Sequence, residues 1–418
     1  MKIPSTELSS GNLIFKALTS SHNQQKWLYA FVILLGTVAF IWLGYEFWRL
    51  LFQTGEMGAI DLRQRHKEVI YWFSGENTYK NLRTAVYPPA SYVMFWPLMG
   101  WLSFGAARWF WSFITILALI ALARLSITAV GVDSKLGKTV LALIPLAIYP
   151  TGASIGNGQL PVFVITLIIF SIINLCNAKS GWLNCSLVAG AFLFALVKPT
   201  LTAPFFWIIL FAGFTLRPAI LVIAGYALLS LIAGAFQPTG LVDLNNLWLN
   251  NALNGLAYGT NREGGYSNLH GLLNQLGLNG WNLDVSLIVF FFLGIWTYIY
   301  RKADIWLLMS ISALIARFWT YHMWYDDLLI LIPMIALLRI AKKDYAINRR
   351  IEAAGILVAL SIPLMMAPGG LYLFPPPWNM IYVFAQKILW LAMLCFLIKY
   401  AHREKLSQKR MTTFHATL

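Results

Sequence analysis

The sequence predicts an all-α polytopic membrane protein, and three observations carry that prediction. Of 418 residues, 59% are hydrophobic and only 11% are charged, where soluble domains carry about 25%. Mean hydropathy is +0.66. Apolar runs of about 17 to 25 residues, the length that crosses a bilayer as helix, recur from Trp27 to Tyr400 with short polar connectors between them.

Taken in order, residues 1–26 are polar and basic and read as a cytoplasmic lead-in. No small-residue cleavage site follows the first apolar run, so it reads as a retained span rather than a signal peptide. Twelve spans are predicted, near 27–51, 106–124, 139–153, 160–177, 184–197, 199–214, 218–236, 284–300, 304–319, 326–341, 351–367 and 379–400. An even number puts both ends on one side. With that side cytoplasmic, Lys16, Arg124, Lys135, Lys138, Arg217, Arg301, Lys302, Arg339, Lys342 and the basic tail 401–418 all lie inside, as the positive-inside rule requires. Topology thus explains the net charge of +15, which then gives no reason to expect a nucleic-acid partner. Residues 27–400 form one transmembrane domain with two long outer loops, about 52–105 and 237–283. The three cysteines, Cys176, Cys185 and Cys395, are odd in number and lack zinc-like spacing, so they read as packing residues.

The first outer loop mixes charge and aromatic side chains. His66 to Phe73 has the spacing of a helix lying on the membrane surface. Ser91 to Phe104 is apolar but short and broken by Pro97 and Gly100. If it crossed, the basic loop 124–138 would face outward, so it reads as a surface or re-entrant helix. Residues 150–159, PTGASIGNGQ, read as a glycine-rich outer loop. They lack the G-x-x-x-x-G-K pattern and follow no strand, which argues against a nucleotide phosphate loop. Polar motifs therefore gather on the outer side, and the function is expected there.

Four groups of residues could carry chemistry. Asp61, just past a span, is either a general base tuned by its apolar surroundings or the cap of the helix that follows. His322 and Asp326 are four residues apart, with Asp327 adjacent; proton transfer, a divalent metal and pairing to Arg317 are all open. Cations Arg63, Arg65, Lys67, Lys80, Arg83 and Lys198 stand on the side that the topological bias disfavours. They either hold a lipid phosphate or snorkel to headgroups; Lys198, fixed by Pro199, fits the first use best. Asn157 and Gln159, with Asn261, Arg262, Tyr266 and His270, are the amides and aromatics of a sugar site, or ordinary turn formers.

In order, these motifs are Asp61, the YPP turn Tyr87–Pro88–Pro89 with Pro97, NGQ at Asn157–Gly158–Gln159, Lys198–Pro199, and His322 with Tyr325–Asp326–Asp327. Together they resemble the GT-C membrane glycosyltransferases, most closely glycosyltransferase family 87, over nearly the whole chain. The resemblance implies a GT-C fold with about 12 transmembrane helices and surface helices in the first outer loop. It implies an inverting transfer of a hexose (mannose-like) or pentose from a polyprenyl-phosphate sugar to an envelope lipid or glycan acceptor, on the outer face of the bacterial inner membrane. Asp61 would be the base and His322 would sit across the cavity. Lys198 and Arg63 would meet the donor phosphate. Tyr87, Asn157, Gln159, Arg262, His270, Asp326 and Asp327 would line the substrate site. Such lipid-monophosphate donors imply no metal and no cofactor. A transporter or flippase of a lipid-linked sugar is the second reading, and a scaffold of envelope assembly the third. Transporters place charges near mid-span and often show repeats; here the polar residues gather at one edge.

Overall fold

The computed structural model describes residues 22–416 apart from 56, 83, 178–180, 261–267, 345, 367–374 and 376. Arg83, Asn261, Arg262 and Tyr266 therefore lie outside the described residues, as does most of the last outer loop. In chain order the helices are α1 (His22–Leu51), α2 (Ile60–Phe73), α3 (Thr78–Asn81), α4 (Pro89–Phe95), α5 (Phe104–Val130), α6 (Lys135–Ala147), α7 (Tyr149–Asn157), α8 (Pro161–Asn177) and α9 (Trp182–Ala195). They continue with α10 (Pro199–Thr202), α11 (Phe206–Phe211), α12 (Arg217–Ala235), α13 (Leu241–Thr260), α14 (Leu269–Gln275), α15 (Asn282–Ile299), α16 (Ile305–Trp319), α17 (Leu331–Lys343), α18 (Ile347–Met366) and α19 (Trp378–Ala416). No strand occurs among the described residues.

Five helices are long and apolar enough to cross a bilayer, and a sixth crossing results if the bent pair α6–α7 counts as one. The chain is a multi-pass membrane protein by that measure. Several expected spans are broken, and prolines explain where. The 139–153 run bends by 49° between α6 and α7, with Pro145 inside α6 and Pro150 in the first turn of α7. Pro150 loses nothing there, because a first-turn N–H has no helical partner. The run 199–214 divides at Pro204 into α10, a 3-10 turn (Ala203–Phe205) and α11. Residues 150–157, expected as loop, are helical; the helix stops at Gly158, whose φ of +68° is left-handed.

The α4 segment with its π-turn Trp96–Gly100 covers twelve residues, about 18 Å of rise, too short for a hydrocarbon core of roughly 30 Å. It packs on α2 and α12, with Ser91, Tyr92, Met94 and Phe95 buried. Helix α2 is two-faced. Leu62, Arg65, Glu68, Val69 and Trp72 are buried while Arg63 and Lys67 are exposed. The second long outer loop is also largely helical, containing α13 and α14.

Helices α8, α16 and α17 form the centre. Their side chains, from Val162 to Ile172, Trp306 to Ala316 and Leu331 to Leu337, are mostly buried. Ser310, Ser312, Ala313 and Ala316 keep α16 slim enough for close approach. The crossing helices α1, α5, α12, α15 and α19 surround them with mostly unburied apolar faces. At one end Arg339 bonds Ala129 O and pairs with Asp304 at 2.8 Å, tying the end of α5 and the start of α16 to α17. At the other, Arg108 closes the end of α1 by bonding Leu50 O, Arg49 O (3.1 Å) and Gln53 O (3.0 Å), carbonyls a helix end leaves unsatisfied.

Glycine places α7 against α1. A Cβ at Gly152 would lie 1.9 Å from Trp42 Nε1, and one at Gly156 would lie 1.8 Å from Glu46 Oε2. Glu46 is buried and accepts from Arg49 Nη1 at 2.7 Å; Arg49 Nη2 reaches Asn157 Oδ1 at 3.2 Å. Gly156→Val is expected to destabilise the detergent-purified protein by about 1–3 kcal/mol through overpacking. Gly190→Val, where a Cβ meets nothing within 4 Å, should stay within about 0.5 kcal/mol of the parent. Unfolding midpoints measure both, and equal shifts would sink the close-packing account.

Candidate functional site

The chain reversals after α1, α7, α9 and α16 meet at the end of the bundle that Arg108 closes. Each brings polar residues into one buried cluster. The first reversal is the tightest: Ala59 is left-handed at φ 49° and fully buried, and a Cβ on Gly58 would lie 2.0 Å from Gln53 O. A left-handed alanine is strained. It starts α2 so that Asp61 falls in the first helical turn, while the cap position is Ala59 and has no side-chain hydrogen bond. Asp61 is thus not the cap.

The Asp61 carboxylate bonds the Gln159 side chain and lies within electrostatic reach of Arg65, Lys198 and Asp326. Burial is the largest influence on it and raises its pKa. Gln159 is delivered by the left-handed Gly158, where a Cβ would press on Leu62 at 2.5 Å. Lys198 follows α9 and points inward: its Nζ lies 2.6 Å from Asp326 Oδ1 and 4.9 Å from the centre of the Tyr325 ring. Asp326 stands in the 3-10 helix Trp324–Ile330. Its other oxygen accepts from Met323 N (3.1 Å) and faces His322 Nδ1 (3.3 Å).

A carboxylate only accepts, so His322 carries its proton on Nδ1, and Nε2 is left to accept from Thr320 Oγ1 at 3.3 Å. The ring is fully buried, and desolvation lowers its pKa, with Arg317 and Lys198 acting in the same direction and Asp326 opposing. His322 is neutral. Asp327 turns away to Arg317, 2.5 Å from its Nε. The two adjacent aspartates therefore serve different cations. No group of three or more His, Cys, Asp or Glu side chains set to hold a metal occurs among the described residues.

The wall opposite is α2 and its neighbours. Arg65 lies 2.9 Å from Glu68 Oε1 and over the Tyr87 ring at 4.7 Å. Glu68 also accepts from Thr84 Oγ1 at 3.1 Å and from Tyr92 at 3.5 Å. It is fully buried, and desolvation pushes its pKa up to about 7 against the pull of Arg65. Tyr87 is buried within reach of Arg65, Asp61, Glu68 and Asp326.

Of the residues singled out from sequence, Asp61, Arg65, Tyr87, Gln159, Lys198, His322, Asp326 and Asp327 converge here. His270 sits just behind, buried, its Nε2 2.7 Å from Ser286 Oγ and its ring within electrostatic reach of His322. Asn157 belongs to the Glu46–Arg49 group instead. Arg63 is exposed and spends its guanidinium on Gly55 O (2.8 Å) and Gly58 O (3.3 Å). Two charged residues went unmarked: Glu68 in the cluster, and Glu46 in the neighbouring group that holds Asn157. The signal for the first was D-x-x-x-R-x-x-E at positions 61, 65 and 68, which places three charges on the buried face of one helix. The signal for Glu46 was a carboxylate inside a span.

Compared with known proteins, the chain matches no family model, no curated protein and no solved structure.

Lys198→Met leaves Asp326 buried without its cation and should cost about 3–5 kcal/mol. Adding Asp326→Asn, which keeps an acceptor for Met323 N, should recover at least half of that. Chemical unfolding in detergent would show it; equal losses in the single and double variants would mean that the pair is not what holds the turn.

Proposed function

We propose that the chain is an inverting glycosyltransferase that moves a hexose or pentose from a polyprenyl-phosphate sugar to an envelope lipid or glycan acceptor. In this reading the fold is a GT-C fold with about twelve spans. The cluster opens on the outer face of a bacterial inner membrane, and the α2 and α4 segments are its surface helices. One observation carries the proposal. Glu68, Asp326 and Asp327 each sit in an ion pair, while Asp61, in their midst, has none among the described residues. A carboxylate with raised proton affinity and no bound cation is what general-base catalysis at neutral pH needs.

The step follows from the chemistry. The acceptor hydroxyl gives its proton to Asp61 as its oxygen attacks the anomeric carbon. The bond from that carbon to the phosphate oxygen breaks on the opposite face, and the phosphate leaves with the electron pair. The two buried cations within reach of Asp61, Arg65 and Lys198, offer positive charge where the phosphate leaves. His322, held by Asp326, offers an imidazole edge for positioning. His270 and Gln159 supply uncharged hydrogen-bonding groups for sugar hydroxyls.

A second reading, a flippase of a lipid-linked sugar, is favoured by the bend between α6 and α7, because transporters build sites from broken helices. Sugar transfer from a panel of polyprenyl-phosphate sugars to native membrane lipids separates the two. Wild type should transfer, and Asp61→Asn should lose at least about a hundredfold while remaining inserted and monodisperse. Transfer that survives Asp61→Asn would remove Asp61 as base. Lipid-linked sugar crossing vesicles without any transfer would establish the flippase.

A further inference from the structure

The cation that meets the ligand's anionic group is open to assignment by elimination within the cluster. Lys198 is bound to Asp326 at 2.6 Å. Arg63 is exposed and tied to two backbone carbonyls. Arg65 differs. It is 8% exposed, its Nη2 bonds Gln64 Oε1, Thr84 O and Glu68, and its Nη1 is buried with no hydrogen-bond partner. A guanidinium N–H buried without an acceptor is costly, and this one belongs to a side chain whose nearest electrostatic partners are Glu68, Tyr87, Tyr92 and Asp61. The guanidinium plane is already set by the Tyr87 ring and by Thr84, so an oxygen arriving at Nη1 meets a donor in place.

We propose that Nη1 of Arg65 is the seat for a phosphate-monoester oxygen, and that Glu68 is a built-in counter-ion which takes up a proton when that anion binds. This rests on the lipid-phosphate reading above and narrows its phosphate contact to one side chain.

Charge balance requires the second half. The cluster holds four carboxylates, Asp61, Glu68, Asp326 and Asp327, against three cations, Arg65, Lys198 and Arg317. With all ionised it carries one negative charge in excess, so a further anion is repelled unless a carboxylate is neutralised. Asp326 and Asp327 hold their own cations. Glu68 competes with the incoming anion for the same guanidinium. Its neighbours are Asp61 and Arg65 on its own helix, Tyr79 on α3, Thr84 and Tyr87 before α4, and Tyr92 on α4. Thr84 and Tyr92 donate to Glu68 and can turn their hydroxyls to accept from a protonated carboxyl. Its pKa of about 7 makes the proton available near neutrality. Protonation of Glu68, rather than Asp61, also leaves the proposed base ionised.

The test is equilibrium binding by the full-length protein in detergent. The probes are a short-chain polyprenyl monophosphate and the matching neutral polyprenol, with inorganic phosphate as competitor, between about pH 6 and about pH 8. Wild type should bind the phosphate at least about tenfold tighter than the alcohol. Its affinity should fall roughly tenfold as pH rises across that interval, since the proton Glu68 must gain becomes scarcer. Arg65→Lys, which keeps the charge but loses the fork, should weaken the phosphate roughly ten- to a hundredfold. Glu68→Gln should bind at high pH as wild type does at low pH, with no pH dependence, and it carries the test if Arg65→Lys does not fold. Competition by inorganic phosphate would assign the seat to phosphate in general, and absence of competition to the lipid headgroup; either supports it. An unchanged affinity in Arg65→Lys, or an unchanged pH dependence in Glu68→Gln, would overturn the seat alone. Wild type that binds alcohol and phosphate equally would overturn both the seat and the lipid-phosphate donor.

Discussion

Lys198 Nζ and Asp326 Oδ1 meet at 2.6 Å across 128 residues of sequence, and the cluster is built outward from that contact. The lysine fixes the turn after α9, and the aspartate fixes the 3-10 helix that enters α17. His322, Met323 and Tyr325 then take their places around the carboxylate. Removing two charges from water costs several kcal/mol per ion, and attraction between them returns that only with good geometry and further hydrogen bonds. A buried pair of this kind is therefore weak evidence of extra stability. What it does supply is position. Each charge has few places it can tolerate, so the segments that carry them are held in one arrangement, and Asp61 is left beside them without a cation of its own.

The membrane class was legible because composition and hydropathy are summed over the entire chain, and no single residue can mislead them. Span edges were less legible. Proline at 150 and 204 permits helix on both sides of a break, so an apolar run reads as one crossing where the backbone makes two pieces. For the cluster, a polar residue at the end of an apolar run is costly, and that cost made Asp61, Gln159, Lys198, His322 and Asp326 visible. Glu68 was hidden by its neighbours, and Arg65, though marked, was not separated from the exposed cations beside it. In a segment with Arg63 and Lys67 exposed on the other face, only the helical period separates a buried charge from a solvated one. Asn157 looked like a loop amide because the glycine-rich run conceals a helix that ends at Gly158.

The grouping of charge is uneven in a useful way. On the α2 side the cluster is ionic, with Asp61, Arg65 and Glu68 on one face. Behind His322 it becomes neutral, through His270 and Ser286 to the Trp319 carbonyl. Ser286 gives its one hydroxyl proton to Trp319 O at 2.7 Å, so it accepts from His270 Nε2, and that ring is fixed in one tautomer. An ionic wall facing a neutral one is suited to a ligand with a charged end and a hydroxylated end, and it imposes a direction on how such a ligand enters.

The glycine notch of α7 also bears on how the chain is made. Glu46 and Arg49 lie in α1, yet the amide that Arg49 reaches is 108 residues further on. At a synthesis rate of about 5–20 residues per second, that is on the order of ten seconds during which α1 carries an ion pair with no third partner. The contacts that hold α1 against α7 are complete only once Gly152, Gly156 and Asn157 have been made.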